Sequence, residues 1–244
     1  MKNYALILAG GVGQRMRSSG LPKQFLKVYG KPIIIYTIEK FVRCQEVNNI
    51  VVACNPIYID YLKELLLNFP LDKEIAIISG GNDRQGSIQN GIDYIFNNGG
   101  SGDDIILIHD GVRPLVDEEI ISENIRITQR EGCAMTVRPV VESVVISGTE
   151  IANFEDFKKR DNTYSLTSPQ TFKLSILVDA YEKTKSANAP IPLLDAALAY
   201  TYLGHPISLV KEYNQNIKIT TPEDYYVLKA LLELEENKNV FGLN

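Results

Sequence analysis

The stretch Leu8-Ala-Gly-Gly-Val-Gly-Gln-Arg-Met16, followed shortly by Pro22-Lys-Gln24, indicates both the fold and the function class of this 244-residue chain. It comes directly after an apolar run at 4–8, which is typical of a buried parallel strand. Three glycines within four positions allow successive backbone N–H groups to face a bound anion at close range. Arg15 and Lys23 add two positive charges to the same loop. The stretch therefore predicts a site for a nucleoside triphosphate.

Two better-known glycine patterns do not fit this loop. The dinucleotide fingerprint G-x-G-x-x-G has Met16 where its third glycine is needed, and the second predicted strand ends in Asn55 instead of an acidic residue. The Walker pattern is also excluded, because no Gly-Lys-Ser/Thr occurs in the chain. A tight glycine turn without a ligand is the remaining alternative. It does not explain why Arg15, Lys23 and Gln24 crowd the same turn.

Composition limits the function classes. The chain is 45% hydrophobic, enough for a sizeable core, and its net charge of −5 argues against nucleic acid or a membrane surface as partner. A polyanionic ligand must then be held by a local cluster of cations. Because no run of 18 apolar residues occurs, we expect neither a signal peptide nor a membrane span. The three widely spaced cysteines and two histidines match no zinc pattern, and the cysteines favour a reduced, cytoplasmic location.

Strand-like and helical runs alternate through the first 138 residues. This rhythm predicts an α/β fold with a Rossmann-like, doubly wound and mostly parallel sheet, formed by one domain over 1–244. In such sheets ligands bind beyond the carboxyl ends of the strands. The strands are predicted at 4–8, 50–54, 74–78, 105–108, 134–138 and 207–210, and the helices at 57–69, 84–96, 117–130, 174–184 and 195–203 with two more beginning near Pro32 and Pro222.

The rhythm stops at Pro139. Residues 140–147 are rich in β-formers, Gly148-Thr149 is typical of a turn, and the β pattern resumes at 151–154. These residues predict a hairpin-like β-arm at about 139–163, with little around it to pack on. We expect this arm to pack on a second subunit, which would make the protein a homodimer.

Two more polar clusters follow predicted strands. The segment 80–87, Gly-Gly-Asn-Asp-Arg-Gln-Gly-Ser, exposes backbone groups to a base edge and offers Arg84 and Ser87 to phosphate or ribose. A capped strand-to-helix connection is the alternative. In His-Asp-Gly-Val-Arg-Pro at 109–114, Asp110 is a candidate metal or hydroxyl ligand, and Arg113 a bidentate phosphate ligand. Here the alternative is an internal Asp110–Arg113 pair that shapes the loop.

Lys218 is the most unusual residue of the last polar segment, Asn-Ile-Lys-Ile-Thr-Thr-Pro-Glu-Asp at 216–224. Thr221 and Pro222 are typical of a helix start, with acidic residues in the first turn. Lys218 interrupts an apolar alternation instead. If its neighbours are buried, Lys218 requires an anionic partner.

In their order, six motifs resemble the cytidylyltransferases that act on polyol phosphates, namely the methylerythritol-4-phosphate and ribitol-5-phosphate cytidylyltransferases. The resemblance covers about 3–229, and its motifs are Leu8-Ala-Gly-Gly-x-Gly-x-Arg-Met, Pro22-Lys-Gln-Phe-Leu, Gly80-Gly-x-Asp-Arg, His109-Asp-x-x-Arg-Pro, Ser168-Pro-Gln-x-Phe and Asn216-Ile-Lys-Ile-Thr-x-Pro-Glu-Asp. It implies a fold of the nucleotidyltransferase type whose arm forms a dimer. It also implies transfer of CMP from CTP to an alditol phosphate, giving a CDP-alditol and pyrophosphate, with Mg²⁺ or another divalent cation as cofactor.

The resemblance also implies roles for single residues. Arg15 and Lys23 match the pair that stabilises the transition state, and Arg160 and Lys218 match the cations that position the acceptor phosphate. Arg160 would serve the site of the neighbouring subunit. Acceptor contacts would come from Asp110, Arg113, Ser143, Arg160 and Lys218, with Asp110 also a candidate metal ligand. The residues implied to bind CTP are Leu8, Ala9, Gly10, Gly11, Gly13, Gly80, Gly81, Asn82, Asp83, Arg84, Gln85, Gly86 and Ser87.

The acceptor is a choice between relatives. Leu8-Ala-Gly-Gly11, Asp83-Arg84 and Tyr164 favour D-ribitol 5-phosphate, because the methylerythritol enzymes usually carry Trp where Tyr164 stands. Ser143, Ser168 and Leu194-Asp195 depart from both patterns on the acceptor side. The alternatives are therefore 2-C-methyl-D-erythritol 4-phosphate, as in isoprenoid synthesis, a sugar-1-phosphate nucleotidyltransferase that uses UTP or GTP, and a nucleotide-binding subunit without catalytic activity.

Overall fold

The computed structural model describes residues 1–11, 20–186, 196–213 and 216–241. Eleven strands occur in these ranges: β1 (Asn3–Ala9), β2 (Lys27–Val28), β3 (Lys31–Pro32), β4 (Asn49–Cys54), β5 (Ile75–Ser79), β6 (Ile105–Asp110), β7 (Cys133–Pro139), β8 (Val144–Val145), β9 (Phe157–Lys158), β10 (Tyr164–Lys173) and β11 (Ser208–Lys211). The helices are α1 (Ile33–Arg43), α2 (Ile59–Asn68), α3 (Arg84–Asn97), α4 (Glu118–Glu131), α5 (Leu174–Ser186), α6 (Ala196–Tyr202) and α7 (Pro222–Phe241).

A seven-stranded sheet organises the molecule, in the order β11-β7-β10-β6-β1-β4-β5. Its neighbours run parallel except β10, which is antiparallel to both β6 and β7. The predicted doubly wound, mostly parallel sheet is therefore confirmed. Since β1 lies between β4 and β6, the loop after β1 and the loop after β6 meet at the same edge of the sheet.

Alternation along β1 supplies both faces of the core. Ala5 and Ile7 pack with residues of α1, α2 and α4, whereas Leu6 packs with residues of α3, α5 and α6. Successive side chains of a strand point to opposite faces, so a continuous apolar strand requires helices on both sides. Helices α1 to α6 meet that requirement.

Strand β10 has no counterpart among the predicted elements. Its sequence, Tyr-Ser-Leu-Thr-Ser-Pro-Gln-Thr-Phe-Lys, is polar and contains Pro169, which argues against a central strand because proline cannot donate to the ladder. The pairing of β10 with β7 is irregular between Leu166 and Gln170, the interval that contains the cis Ser168–Pro169 bond. The strand thus accommodates proline at a break in its register.

The arm differs in detail from the predicted hairpin. Residues Val144 and Val145 pair with Phe157 and Lys158, not with 151–154. The predicted return strand is wrong because Ser147 and Thr149 bond locally to Ile151, and Phe154–Asp156 form a 3₁₀ turn closed by Asn153 and Asp156. Among the described residues, no helix combines the length and apolar character needed to cross a bilayer.

Candidate active site

A crevice of about 320 Å³ opens at the carboxyl ends of β1 and β6. It brings together both predicted glycine-containing loops and three of the predicted cations, Lys23, Arg84 and Lys218. The lining residues are Leu8, Ala9, Gly10, Gly11, Lys23, Gln24, Gly81, Asn82, Asp83, Arg84, Ser87, Asp110, Val112 and Lys218. Gly13 and Arg15, predicted for the same loop, lie outside the described residues.

Gln24 fixes the described part of the first loop. Its buried side-chain amide donates to the carbonyl oxygen of Ala9 at 2.9 Å and to that of Gly11 at 3.0 Å. These bonds satisfy two backbone carbonyls and tie the loop to the short turn that contains Lys23. The sequence places Gln24 beside the glycines, but only the structure reveals this role for its amide.

The second loop is a capped connection that also lines the crevice. Asp83 caps α3 by accepting from the N–H of Gly86 at 2.7 Å. The Ser87 hydroxyl accepts from the N–H of Gly81 at 3.0 Å and donates to the carbonyl of Asp83 at 2.9 Å. A Cβ at Gly81 would collide with the backbone of Gly86, so glycine is required there. The capping alternative thus describes how Asp83 and Ser87 hold the loop, and Asn82 and Arg84 line the crevice beside them.

Three cations converge on the carboxylate of Asp110. Arg84 Nη1 lies 2.6 Å from Oδ1, Lys218 Nζ lies 3.0 Å from Oδ2, and Arg113 Nε lies 3.1 Å from Oδ2. The internal Asp110–Arg113 pair considered from the sequence exists, and Lys218 has the anionic partner that its apolar neighbours required. Four predicted site residues from three separate motifs therefore form one cluster, which we call the Asp110 cluster.

The Asp110 cluster is charged at neutral pH. Burial alone would raise the pKa of Asp110, but the charges of Arg84, Lys218 and Arg113 outweigh it and hold that pKa well below the ordinary range. The cluster carries two net positive charges, since three cations surround one carboxylate. A partly enclosed crevice with such an excess is suited to a polyanion.

His109 lies beneath the cluster and is fully buried. Its Nε2 is 3.1 Å from the carbonyl oxygen of Arg113, which can only accept, so Nε2 carries the proton. Its Nδ1 then accepts from the Ser168 hydroxyl at 3.0 Å, and Ser168 Oγ accepts from the N–H of Asp110 at 3.3 Å. Burial lowers the pKa of His109 to about 4, so the ring is neutral at pH 7 and positions Asp110 without adding charge.

Two predicted acceptor residues lie on the arm and do not line this crevice. Arg160 begins a 3₁₀ turn that ends at Asn162, and Ser143 directly precedes β8. A second cavity of about 790 Å³ lies between the arm, the β7–β10–β11 part of the sheet and α6. Its lining is mainly apolar and includes Val137, Ile146, Leu166, Leu198, Ile207 and Leu209.

The residues of the crevice fit a divalent cation that is held mainly by a nucleotide. The described part of the chain contains no group of three or more His, Cys, Asp or Glu side chains placed to hold a metal ion. Mg²⁺ commonly uses one or two carboxylates together with substrate phosphates. Two carboxylates line the crevice: Asp83 caps α3, and Asp110 is paired with three cations, which a metal ion held by Asp110 would share.

Known proteins resemble this chain along nearly its whole length. The family model described as IspD, 2-C-methyl-D-erythritol 4-phosphate cytidylyltransferase, matches residues 4–234. A ribitol-5-phosphate cytidylyltransferase of Vibrio parahaemolyticus is 40% identical over 243 residues, which are 98% of this chain and 100% of the relative. The enzyme of the same name from Streptococcus agalactiae serotype V is 35% identical, with 100% of both chains covered.

Solved structures share the fold of this chain. The 4-diphosphocytidyl-2C-methyl-D-erythritol synthase of Anaerococcus prevotii matches with a TM-score of 0.79 at 24% identity, over 95% of this chain and 96% of the other. The 2-C-methyl-D-erythritol 4-phosphate cytidylyltransferase of Francisella tularensis has a TM-score of 0.75 at 27% identity, over 93% and 98%. The chain belongs to the IspD family of cytidylyltransferases.

Proposed function

We propose that this protein transfers CMP from CTP to D-ribitol 5-phosphate, giving CDP-ribitol and pyrophosphate. The observation that carries the proposal is the Asp110 cluster. Three cations surround Asp110, and two of them, Arg84 and Lys218, line the crevice formed by the two glycine-containing loops. The choice of ribitol 5-phosphate rests on the names of two relatives that match over their full length. Tyr164, the first residue of β10 and the residue directly after the arm, favours the same choice.

The reaction is a substitution at the α-phosphorus of CTP. An oxygen of the acceptor phosphate attacks in line and forms the new P–O bond, while the bond from the α-phosphorus to the bridging oxygen breaks and pyrophosphate leaves with that electron pair. Because the acceptor phosphate is already ionised at pH 7, no general base is needed. The state of His109 agrees with this, since both ring nitrogens are hydrogen-bonded and the ring is buried.

The cations divide the work between the two substrates. Lys23, together with Arg15, stabilises charge on the α-phosphoryl oxygens, and Lys218 holds the acceptor phosphate. Arg84 and Arg113 support the phosphates from the side of Asp110. IspD-family cytidylyltransferases generally depend on a divalent metal. Asp110 and the nucleotide phosphates would hold that ion here, and it would neutralise charge between the phosphates.

We propose further that two chains form a homodimer through their arms. Val141, Ile151 and Phe154 are largely exposed on the arm, and apolar patches of this kind are typical of protein interfaces. In the dimer, Arg160 and Ser143 of each arm serve the partner's crevice. We assign the reaction to the cytoplasm, where CTP is made, and expect no nucleic-acid or membrane partner.

An acceptor screen tests the proposed function. Pyrophosphate release is measured with CTP and Mg²⁺ and, in turn, ribitol 5-phosphate, 2-C-methyl-D-erythritol 4-phosphate or glycerol phosphate. We expect ribitol 5-phosphate to give the highest kcat/KM by at least about tenfold, the discrimination expected from about 1.4 kcal/mol of differential binding. A preference for methylerythritol phosphate would replace the proposed acceptor. Faster turnover with UTP or GTP would indicate a sugar-1-phosphate nucleotidyltransferase, and no pyrophosphate with any pair would leave a nucleotide-binding subunit.

A further inference from the structure

A buried polar chain runs from the base of the arm to the segment that carries Lys218. Its central residue is Glu212, which directly follows β11 and is only 1% exposed. One carboxylate oxygen of Glu212 lies 3.2 Å from Arg138 Nη2. The other accepts from the side-chain amide of Asn216 at 2.9 Å. A glutamate is rarely buried so completely unless its charge is paired, and here the pairing joins two distant parts of the fold.

Asn216 extends this chain towards the crevice. Its buried side-chain amide also donates to the carbonyl oxygen of Ser168 at 2.8 Å, and its backbone carbonyl oxygen accepts from Arg113 Nη1 at 2.8 Å. Asn216 thus contacts the strand that carries Ser168 and one cation of the Asp110 cluster. Its position is fixed by groups from β10 and from the loop after β6.

Lys218 lies between two anchors. On one side is Asn216 with the bonds described above, and on the other is Ile219, whose N–H donates to the carbonyl of Val112 at 2.9 Å. The side chain of Ile219 is fully buried. With its backbone held on both sides, Lys218 can keep Nζ at Asp110 although its own side chain is 40% exposed.

Arg138 ties the other end of the chain to the arm. It is the penultimate residue of β7 and pairs with Ser165 of β10, so it lies where both ends of the arm enter the sheet. Within the described residues, Arg138 forms an ion pair with Glu212. The orientation of the base of the arm and the position of Asn216 therefore both depend on the carboxylate of Glu212.

We propose that Glu212 is a positioning residue for nucleotidyl transfer. By holding Asn216, it sets the position of Lys218 at the acceptor phosphate, and by holding Arg138 it keeps the base of the arm in register with that segment. Glu212 does not line the crevice and acts only through these neighbours. The inference rests on the proposed function in one respect, namely that Lys218 binds the acceptor phosphate.

The carboxylate is needed because both of its oxygens accept. A glutamine of the same size has one acceptor and one NH₂ group. Because Arg138 and Asn216 both donate to residue 212, one of these two donors would face the NH₂ group instead of an acceptor. If the NH₂ faced Asn216, the Asn216 amide would have to rotate, and its bond to the carbonyl of Ser168 would be lost. Glu212→Gln therefore changes the hydrogen-bond pattern while leaving the volume of the side chain almost unchanged.

Steady-state kinetics with each substrate varied in turn tests the proposal. For Glu212→Gln we expect kcat/KM for ribitol 5-phosphate to fall about tenfold, since small misplacements of a binding group are costly, while KM for CTP stays within about twofold. The matched control is Glu39→Gln, which breaks the pair between Lys31 of β3 and Glu39 of α1, neither of which lines the crevice. It should leave both parameters within about twofold.

A second comparison asks whether Glu212 acts through Lys218. In a Lys218→Ala background, Glu212→Gln should cause no further loss of kcat/KM for the acceptor, because the group that it positions is gone. If the two losses multiply, or if Glu212→Gln weakens CTP and acceptor equally, Glu212 stabilises the fold only and the proposal is overturned.

Arg138→Gln keeps the proposal testable if Glu212→Gln does not fold, as judged by circular dichroism. The side chain of Arg138 is one-third exposed, and the substituted amide can still donate to Glu212. We expect a smaller loss, about threefold and confined to the acceptor. Unchanged kinetics in this variant would overturn the proposal. Absence of turnover in the unsubstituted enzyme would instead reject the proposed function, so the two failures are distinguishable.

Discussion

The crevice and the arm differ in whether their side chains have partners within the chain. In the crevice, the buried carboxylate of Asp110 meets three cations, and both ring nitrogens of His109 are hydrogen-bonded. On the arm, Phe154 is 88% exposed, and Val141 and Ile151 are exposed to a similar degree. One region has its partners within the chain, whereas the other presents an apolar surface for which a second molecule is the expected partner.

This difference has a physical meaning for the reaction. Cations that are already aimed at the crevice need no reorganisation when phosphates arrive, which is where electrostatic catalysis gains most. Exposed apolar side chains on the arm carry a free-energy cost in water, and their burial against a second molecule would stabilise an assembly. We infer that nucleotide binding is preorganised within one chain, and that the acceptor side is completed by dimerisation.

The largest effect should come from Asp110→Asn. This change leaves Arg84, Arg113 and Lys218 without their shared anion, so we expect loss of turnover and a fall of about 3 kcal/mol in the free energy of unfolding, as for other broken buried pairs. Urea denaturation followed by circular dichroism measures the second quantity. The control Asp60→Asn breaks the exposed Lys63–Asp60 pair and should cost less than about 1 kcal/mol. An Asp110→Asn protein as stable as the control would show that the cluster does not hold the crevice together.

Lys23→Ala should remove catalysis and spare the fold. Lys23 lines the crevice, and the loss of one such charge should lower kcat by about 10²–10³, or about 3–4 kcal/mol, by analogy with removal of an oxyanion donor. Pyrophosphate release gives the rate, and the thermal midpoint reports on the fold. Lys63→Ala is the matched control on the surface of α2. Normal turnover by Lys23→Ala would remove this residue from the mechanism.

The arm should respond to substitution in the reverse way. Phe154→Ser should leave the unfolding free energy nearly unchanged, because the side chain is exposed, but shift the protein towards the monomer in sedimentation velocity. Turnover should then fall, by about tenfold at micromolar protein, as Arg160 no longer reaches the partner's crevice. Leu67→Ser on α2 replaces an equally exposed apolar side chain outside the arm and should change neither property. A dimer that survives Phe154→Ser would exclude this side chain from the interface.

The smallest effect should be a pH dependence of the free energy of unfolding, caused by His109 beneath the crevice. The pKa of His109 falls from an ordinary 6.5 to about 4 in the folded chain. The unfolded chain therefore binds the proton first, so the stability contributed by neutral His109 is complete above pH 6.5 and is lost as pH falls towards 4. Between pH 7 and pH 5.5 we expect a loss of about 1 kcal/mol.

Urea titrations across this range measure the slope, and His109→Gln should flatten it even if it lowers stability at every pH. The Asp110 contribution is lost only below the ordinary carboxyl pKa of 3.8, because the folded pKa lies lower still, so the two groups act in separate pH ranges. An unchanged slope in His109→Gln would place its origin elsewhere.

Much of the fold follows from local pattern. Apolar runs such as 4–8 and 50–54 are buried strands because a parallel sheet with two covered faces tolerates little else. Strand β10 could not be predicted in the same way. Its strand conformation depends on neighbours distant in sequence, with Gln170 opposite Ile108 of β6 and Met135 of β7. Its proline also argues against a strand when only residue propensities are considered.

The site shows the same division. Glycine spacing and isolated charges predicted several residues that line the crevice, namely Gly10, Gly11, Lys23, Arg84 and Lys218. The same prediction included residues that do not line it, namely Gly80, Gln85, Gly86 and Arg113. The partners of those charges could not be deduced, since Arg84, Asp110 and Lys218 lie 26 and 108 positions apart and meet only through the sheet order. Glu212 was not predicted, and the role of Gln24 in the first loop was not predicted either. A single polar residue carries no pattern, and only its buried contacts reveal what it does.

The two ends of the arm enter the sheet side by side, with Pro139 opposite Tyr164 and the N–H of Val140 bonded to the carbonyl of Thr163. Because the arm begins and ends at adjacent positions of the sheet, a different insertion can replace it without moving the strands that support it. Lineages could therefore inherit one nucleotide-handling body and vary the inserted loop, so that new acceptors are recruited by replacing about two dozen residues while the chemistry at phosphorus stays as it was.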